Sequence, residues 1–428
     1  MSQNAIEIKD STAETKLGDG LSKLRLIKFL LLCLLIDVIV AIVLFGRDVK
    51  IFAEQLPTFT LFDQFVLARK KKTILVWNSA HRIETSGFGF GYQPFVQHRC
   101  EVSDCILFNN ATLSVWQPLE NYDAIIVNMH ELWLTEIPAF NRQHFQRLIF
   151  LTQESPTTMP IDVYVLGNIF NWTMTYRLNS DVKLLYGRIG AGPTAPKTTE
   201  ETFKMIERMR LPSAKNYAAK KTNLVAWMAS HCETNSLRET YVRQLQKFIP
   251  VDVYGGCGNL TCQRNDDHWL SYPECYTMLE KKYKFYLSFE NSICTDYATE
   301  KFFEIIKRNI VPIVYGGANY SQIAPHHSFI NALDFTPDKL AEFLKMVDAN
   351  DTVYNEYFWW KGHYQVEAGI DQMTGHAFCD LCKKLHLEDN VTKYYPEVVT
   401  EWHSDKHCKQ VVSWETNQSS TQHSSKVK

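Results

Sequence analysis

The sequence predicts an α/β protein: two Rossmann-like domains facing a cleft, preceded by a single transmembrane helix. Three observations predict it. Strand-like apolar runs alternate with helical patterns in two successive series. A stretch rich in Gly, Pro and Thr, Gly190-Ala-Gly-Pro-Thr-Ala-Pro-Lys-Thr-Thr199, separates the two series. Near the amino terminus an apolar run has the length of a membrane span.

Residues 1–25 read as a polar cytoplasmic tail and 26–45 as a signal anchor. Within the anchor, 29–45 are apolar apart from Cys33 and Asp37, and Lys23, Arg25 and Lys28 place the amino terminus in the cytosol. No small-residue cleavage site follows, so the helix is read as retained. Asp37 costs about 2.5–3.5 kcal/mol at mid-membrane on insertion scales, and a peripheral apolar helix is the alternative. Residues 46–72 read as a stem. The first Rossmann-like domain covers 73–190, with strands at 73–77, 124–127 and 148–152. Residues 191–215 are a linker and a helix at 201–210. The second domain covers 216–385, with strands at 223–228, 251–254, 284–289 and 310–314 and helices at 237–247, after 300 and from Thr336-Pro337. Ser236 and Glu239 have the spacing of a capping box for the 237–247 helix. Residues 386–428 are an extension whose Ser/Thr/Gln/Lys tail, from Gln418, has almost nothing to bury.

With 45 Lys+Arg against 47 Asp+Glu the net charge is near zero, which gives no support to a nucleic-acid partner. There are 11 cysteines. Cys33 lies in the anchor, and an even number remains beyond it, as disulfides in an oxidising lumen require. Cys100 and Cys105 form one cluster and Cys379 and Cys382 another, and four thiolates on zinc are the alternative use of them. Sequons for N-glycosylation at Asn110, Asn171, Asn350, Asn390 and Asn417 are the expected modification sites, with further sequons at Asn259 and Asn319.

The densest polar cluster is in Tyr283-Lys-Phe-Tyr-Leu-Ser-Phe-Glu-Asn-Ser-Ile-Cys-Thr-Asp-Tyr-Ala-Thr-Glu-Lys-Phe-Phe303. A strand pattern passes through a short turn into a helix, where α/β sheets bind ligands. Lys301 near the helix start opposes the helix dipole by about 0.3–1 kcal/mol, and an anionic ligand would explain it. A surface pair with Glu304 is the other explanation. No Asp-x-Asp triplet occurs in the chain, so a diphosphate would be met by Lys301 and Arg238 and not by a bound metal.

This block, with Asn309-Ile-Val-Pro-Ile-Val-Tyr-Gly-Gly-Ala-Asn-Tyr320, resembles the nucleotide-sugar signature of the alpha-1,3-fucosyltransferases. The resemblance extends to Val225-Ala-Trp-Met-Ala-Ser-His-Cys232 with Arg238, to Val251-Asp-Val-Tyr-Gly255, and to Glu154-Ser-Pro156 with Asn171-Trp-Thr-Met-Thr-Tyr-Arg177 and Ser180-Asp181. It implies a GT-B-like glycosyltransferase with an acceptor-side first domain and a donor-binding second one. It further implies that Arg238 and Lys301 contact GDP, and that Glu290, Asn291, Tyr297 and Glu300 complete the GDP-fucose site. The two cysteine clusters would join each other. Ala298 departs from the family, where a larger β-branched residue is usual.

The expected reaction is inverting transfer of L-fucose from GDP-fucose to a 3-hydroxyl of N-acetylglucosamine in glycoprotein N-glycans, at the core or on Lewis-type antennae. Glu154, at a strand end and before Pro156, is the candidate base, with Glu290 second. Nothing in the sequence pairs His81, His98, His130 or His231 with a nucleophile. The forms of Cys294 and of 316–320 resemble invertebrate and plant-like members, which favours the N-glycan core. No cofactor is required beyond the GDP-fucose substrate, with a divalent metal at most stimulatory. The expected setting is the Golgi membrane, single-pass with a luminal catalytic domain, and a homodimer is a further expectation. A catalytically silent luminal glycan- or nucleotide-binding protein on the same fold is the competing expectation.

Overall fold

The computed structural model describes residues 71–411 apart from 79–82, 84–85, 110–117, 131–136, 139, 160–165, 213, 263–272, 389–392 and 397–401. The expected tail, anchor, nearly all of the stem and the segment from Gln418 lie outside the described residues. No helix among the described residues is long and apolar enough to cross a membrane.

The first sheet contains β1 (Lys72–Val76), β2 (Cys105–Asn109), β3 (Ala124–Asn128), β4 (Arg147–Thr152), β5 (Trp172–Thr175) and β6 (Val182–Lys183). All its pairings are parallel, in the order β2-β1-β3-β4-β5-β6. β7 (Gly187–Ala191) follows. The second sheet contains β8 (Asn223–Met228), β9 (Val251–Tyr254), β10 (Tyr283–Phe289), β11 (Val311–Tyr315) and β12 (Ile330–Asn331). It too is parallel, in the order β12-β11-β10-β8-β9. In each sheet the first strand lies between the second and the third, the doubly wound order whose reversal opens a crevice at the strand carboxyl ends.

Burial explains the strands. Every residue of β10 is buried, as a central parallel strand covered on both faces demands. Even Lys284 conforms, its Nζ bonding the Asp348 carbonyl at 2.8 Å and lying 3.2 Å from Asp351 Oδ1. Helix α1 (Thr199–Arg208) begins in a capping box of Thr198 and Glu201. The box expected at Ser236 and Glu239 is absent. Helix α2 (Arg238–Leu245) starts after Leu237 at φ 51°, Ser236 Oγ donates to the Glu290 carbonyl at 2.7 Å, and Glu239 accepts from Thr234. Ser236 thus joins two strand ends instead of capping a helix.

The Gly/Pro linker also begins differently from its composition. β7 pairs antiparallel with β13 (Tyr364–Ala368), so residues 187–191 are a ribbon strand. After α3 (Glu300–Ile306) and α4 (Pro337–Asp348), that ribbon leads into α5 (Ile370–Leu387). Although assigned by sequence to the second domain, α5 packs on the first sheet. Ala377, Phe378, Leu381, Cys382 and Leu385 are buried with Ile74, Val76, Cys105 and Leu107, and Phe378 stacks on Phe88 at 4.9 Å. An apolar helix face must cover that sheet, and the core reclaims the helix wherever it falls in the chain. Disulfides Cys100–Cys379 and Cys105–Cys382 fasten it there, so these sulfurs are bonded to one another and the zinc alternative falls. Cys232–Cys257, Cys262–Cys275 and Cys294–Cys408 take up the other six cysteines beyond Cys33.

Candidate active site

The reversal point of the second sheet lies between β8 and β10, and the expected residues gather beyond those ends. Glu290 follows β10 directly and is fully buried. Its carboxylate accepts from the Thr299 amide at 2.8 Å and from Thr299 Oγ1 at 2.9 and 3.0 Å, so it holds the start of α3. Lys301 Nζ lies 2.8 Å from Glu300 Oε1, 3.0 Å from Thr299 Oγ1 and 3.5 Å from Glu290 Oε2. Its partners are therefore within the cluster. Glu304, the alternative partner, pairs instead with Lys307 and Arg308.

Charge in this cluster is unevenly held. Burial raises Glu290 above the ordinary carboxylate range, and Glu300 adds to the rise while Lys301 opposes it. Burial would also raise Glu300, but the Lys301 ammonium outweighs it and holds Glu300 low. Burial would lower Lys301, yet Glu300 and Glu290 outweigh it and keep the ammonium protonated. Of the two carboxyls Glu290 is the one shifted toward its neutral form, while Lys301 stays cationic beside it.

Arg238 is 3% exposed. Its Nη1 donates to the Phe289 carbonyl at 2.6 Å and its Nη2 to the His231 carbonyl at 3.2 Å, with the guanidinium 5.6 Å from the Trp227 ring centroid. Its Nε is buried without a hydrogen-bond partner among the described residues. The fork faces main-chain carbonyls at both strand ends, fixing the crevice and its positive potential. Two non-glycine residues beside the site, Leu237 at φ 51° and Asp296 at φ 62°, occupy the left-handed region, a conformation held by surrounding contacts at about 1 kcal/mol or more each. Asp296 is held by Arg177 at 3.8 Å and by the Leu178 amide at 3.2 Å.

Glu154 comes from the other sheet, two residues after β4. Its Oε2 accepts from Tyr297 Oη at 3.1 Å. Tyr297 is buried, and its ring lies 4.8 Å from Tyr176 and 6.3 Å from Tyr186, whose hydroxyl donates to the Gln153 carbonyl at 2.8 Å. The turn after Glu154 reaches back, Ser155 and Thr157 hydroxyls lying 2.9 and 2.6 Å from Ser292 Oγ. Thus Glu154, Glu290, Asn291, Tyr297, Glu300, Lys301 and Arg238 belong to one region, with Glu154 on its first-sheet side. Asn291 keeps its side-chain oxygen buried without a partner among the described residues.

Glu154 also lines a pocket at the reversal point of the first sheet, with Asn78, Asn128, His130, Gln153, Thr374 and Phe378. The Asn78 side chain clasps the Asn128 main chain, its Nδ2 donating to the carbonyl at 2.9 Å and its Oδ1 accepting from the amide at 2.7 Å. Polar groups above an apolar floor of Ile126, Leu184 and Phe378 suit a sugar's hydroxyls and ring face. A smaller cavity sits beside Ala298, bounded by Tyr176, Tyr186, Phe303 and Ile323, where a larger side chain would fill space.

Two family profiles match the chain: "Fucosyltransferase, N-terminal" over residues 69–187 and "Glycosyltransferase family 10 (fucosyltransferase) C-term" over 218–402. Alpha-(1,3)-fucosyltransferase C of Drosophila melanogaster is 36% identical over 347 residues, 77% of each chain. The chain belongs to the alpha-1,3-fucosyltransferase family. Its enzymatic class is that of an alpha-1,3-fucosyltransferase. Glycoprotein 3-alpha-L-fucosyltransferase A of the same fly is 31% identical over 81% of this chain and 63% of its own. A crystal structure of an alpha1,3-fucosyltransferase aligns with 70% of this chain and 82% of its own at 17% identity and a TM-score of 0.42.

In this fucosyltransferase one expected glycosylation site is corrected. Asn171 is 1% exposed, its Oδ1 accepting from the Leu148 amide at 2.8 Å and its Nδ2 donating to the Lys393 carbonyl at 2.9 Å, so it is a structural joint. Asn350 is exposed and uses only its Oδ1, to cap the turn at Thr352 and Val353. Asn110, Asn390 and Asn417 lie outside the described residues. Sequence reasoning did not single out Tyr186, Tyr176, Thr299 or the Asn78–Asn128 pair. Thr299 carried a signal, as a threonine just before the helical pattern; the others meet only through tertiary packing.

Proposed function

We propose that the chain moves L-fucose from GDP-fucose to the 3-hydroxyl of an N-acetylglucosamine in glycoprotein glycans, with inversion at the transferred sugar carbon. The observation that carries the reading is the hydrogen bond between Glu154, at the edge of the first-sheet pocket, and Tyr297 of the Glu290–Lys301 cluster. It sets a carboxylate between a polar pocket for the acceptor and a cationic crevice for the departing diphosphate. Glu154 takes the proton of the acceptor hydroxyl as that oxygen attacks, and Lys301, backed by Arg238, stabilises the charge gathering on GDP. Glu300 accepts hydrogen bonds from sugar hydroxyls.

The acceptor reading leans to the N-glycan core, and the fly relative named as a glycoprotein 3-alpha-L-fucosyltransferase supports a glycoprotein acceptor. We place the reaction in the Golgi lumen, with residues 26–45 as the anchor and the chain as a homodimer. Divalent metal is at most a stimulant.

The test is release of GDP from GDP-fucose with defined core and antennal glycans, products being assigned by mass spectrometry. Glu154→Gln is expected to lower kcat by about 100-fold or more, as loss of a general base does, while GDP affinity stays within about threefold. Retained turnover would remove Glu154 from the role, and GDP binding with no turnover on any glycan would favour a silent binding protein. Carbonate-resistant membrane association and Golgi co-staining test the anchor.

A further inference from the structure

Residues 402–411 belong to neither sheet yet touch both halves of the site. They lie at and beyond the end of the second family match, which stops at residue 402. Cys408 is bonded to Cys294 in the middle of the 290–299 loop, and the two residues also form an antiparallel bridge. The Thr295 amide donates to the His407 carbonyl at 2.7 Å, and the Lys409 amide to the Ile293 carbonyl at 2.8 Å. Just upstream, α6 (Ser404–His407) packs on Pro156–Thr158, the turn that follows Glu154. Trp402 is 2% exposed and sets its indole 5.7 Å from Phe150 of β4 and 5.4 Å from Tyr176. Tyr176 in turn lies 4.8 Å from Tyr297.

These contacts converge on one atom pair. The loop is anchored at one end where Cys294 meets the strap and at the other where Thr299 meets Glu290, and Tyr297 sits between the anchors. A glycine backs it: any Cβ on Gly317 would overlap the Cys294 main chain. A tethered loop of this length has few other conformations, so the Tyr297 hydroxyl is aimed before any ligand arrives.

We propose that residues 402–411 are a positioning strap of the transfer site: Cys408 through Cys294, and Trp402 through Tyr176, hold the Tyr297 hydroxyl on Glu154. The proposal rests on reading Glu154 as the base. Cys408 and Trp402 touch no substrate; they act through Tyr297.

The experiment is a cycle on the full chain in detergent, with the paired change Cys294→Ser/Cys408→Ser introduced into the native protein and into Tyr297→Phe. Expected is a kcat loss of about tenfold in the native background, inside the range a displacement of about 1 Å can produce, and of less than about twofold in the Tyr297→Phe background. GDP affinity by calorimetry stays within about threefold in both. An equal loss in both backgrounds, or an unchanged kcat with only a lower melting temperature, overturns the proposal. Should the paired serine variant fail to fold, Trp402→Phe carries the same comparison, with about threefold expected in the native background and none in Tyr297→Phe. Glu154→Gln separates the two ideas. Full turnover there would overturn the base reading and the strap's route with it, whereas an inactive Glu154→Gln beside background-independent strap effects would overturn the strap alone.

Discussion

The Tyr297 hydroxyl donates to Glu154 Oε2 at 3.1 Å, and by that bond the loop after β10 of one sheet reaches the carboxylate after β4 of the other. Tyr297 is 1% exposed, so its hydroxyl has little water to turn to if the carboxylate moves. Tyr297→Phe keeps the ring stack on Tyr176 and removes only the hydroxyl. A hydrogen bond to a charged group contributes about 1.5–3 kcal/mol, so a kcat loss of about 10- to 100-fold is expected, with GDP affinity changed far less. Steady-state kinetics beside GDP calorimetry would show it. A variant that loses GDP affinity by the same factor as kcat would put Tyr297 in ligand binding instead.

Lys301 holds two carboxylates that would otherwise repel each other. Glu290 already sits above the ordinary carboxylate range through burial, so the folded protein holds its proton more tightly than the unfolded chain does. Stability tied to such a group is whole below its ordinary value and declines as pH rises through the raised one. Lys301→Met removes the opposing charge and lifts Glu290 further. The variant is expected to lose about 2–4 kcal/mol at pH 7, somewhat below the cost of breaking a fully buried pair because Lys301 keeps 24% side-chain exposure. The deficit narrows as pH falls from 7 to 5, because a raised Glu290 that has lost its counter-charge favours its protonated form. Chemical denaturation at the two pH values measures it, and a deficit that is flat or grows toward acid contradicts the argument.

Much of the second domain was legible because parallel strands there are continuous apolar runs and the motif carries its own polar cluster. Both sheets could be anticipated from the strand–helix alternation, but β2, β5, β6 and β12 could not. β6 and β12 have two residues each and no periodicity to detect, and β5 is Trp-Thr-Met-Thr, read as motif instead of strand. The placement of α5 was hidden for a different reason. Its apolar face is as compatible with one sheet as with the other, and only the pairing of Cys379 and Cys382 with Cys100 and Cys105 hints at the answer. Arg238 shows the same limit within the site. Its residue type suits phosphate, and no spacing in the sequence shows that Nη1 and Nη2 also hold the Phe289 and His231 carbonyls.

Asn171 carries a sequon, yet its amide stitches β4 to the segment at Lys393. Asn171→Gln is expected to leave gel mobility unchanged before and after glycosidase treatment. It should also lower stability by about 1–3 kcal/mol, the cost of leaving buried main-chain groups unpaired. A mobility shift at this position in folded, active protein would contradict the burial.

Asp181 makes an acid-side prediction. Its Oδ2 accepts from the Thr173 amide at 2.9 Å and Tyr395 Oη at 2.7 Å, and its Oδ1 from Lys393 Nζ at 2.8 Å. Burial would raise this carboxyl, but the bonds from Lys393, Tyr395 and Thr173 outweigh it and hold it low. A carboxyl lowered by folding adds stability above its ordinary value and loses it as pH falls through the lowered one. Asp181→Asn lacks that charge at every pH, and at pH 7 a deficit of about 1–3 kcal/mol is expected from the weakened bonds. Below about pH 4, where an ordinary aspartate protonates, the native protein begins to lose the same contribution and the two denaturation curves converge. Curves that stay parallel from pH 7 to pH 3 would mean the Lys393 and Tyr395 contacts do not depend on the charge of Asp181.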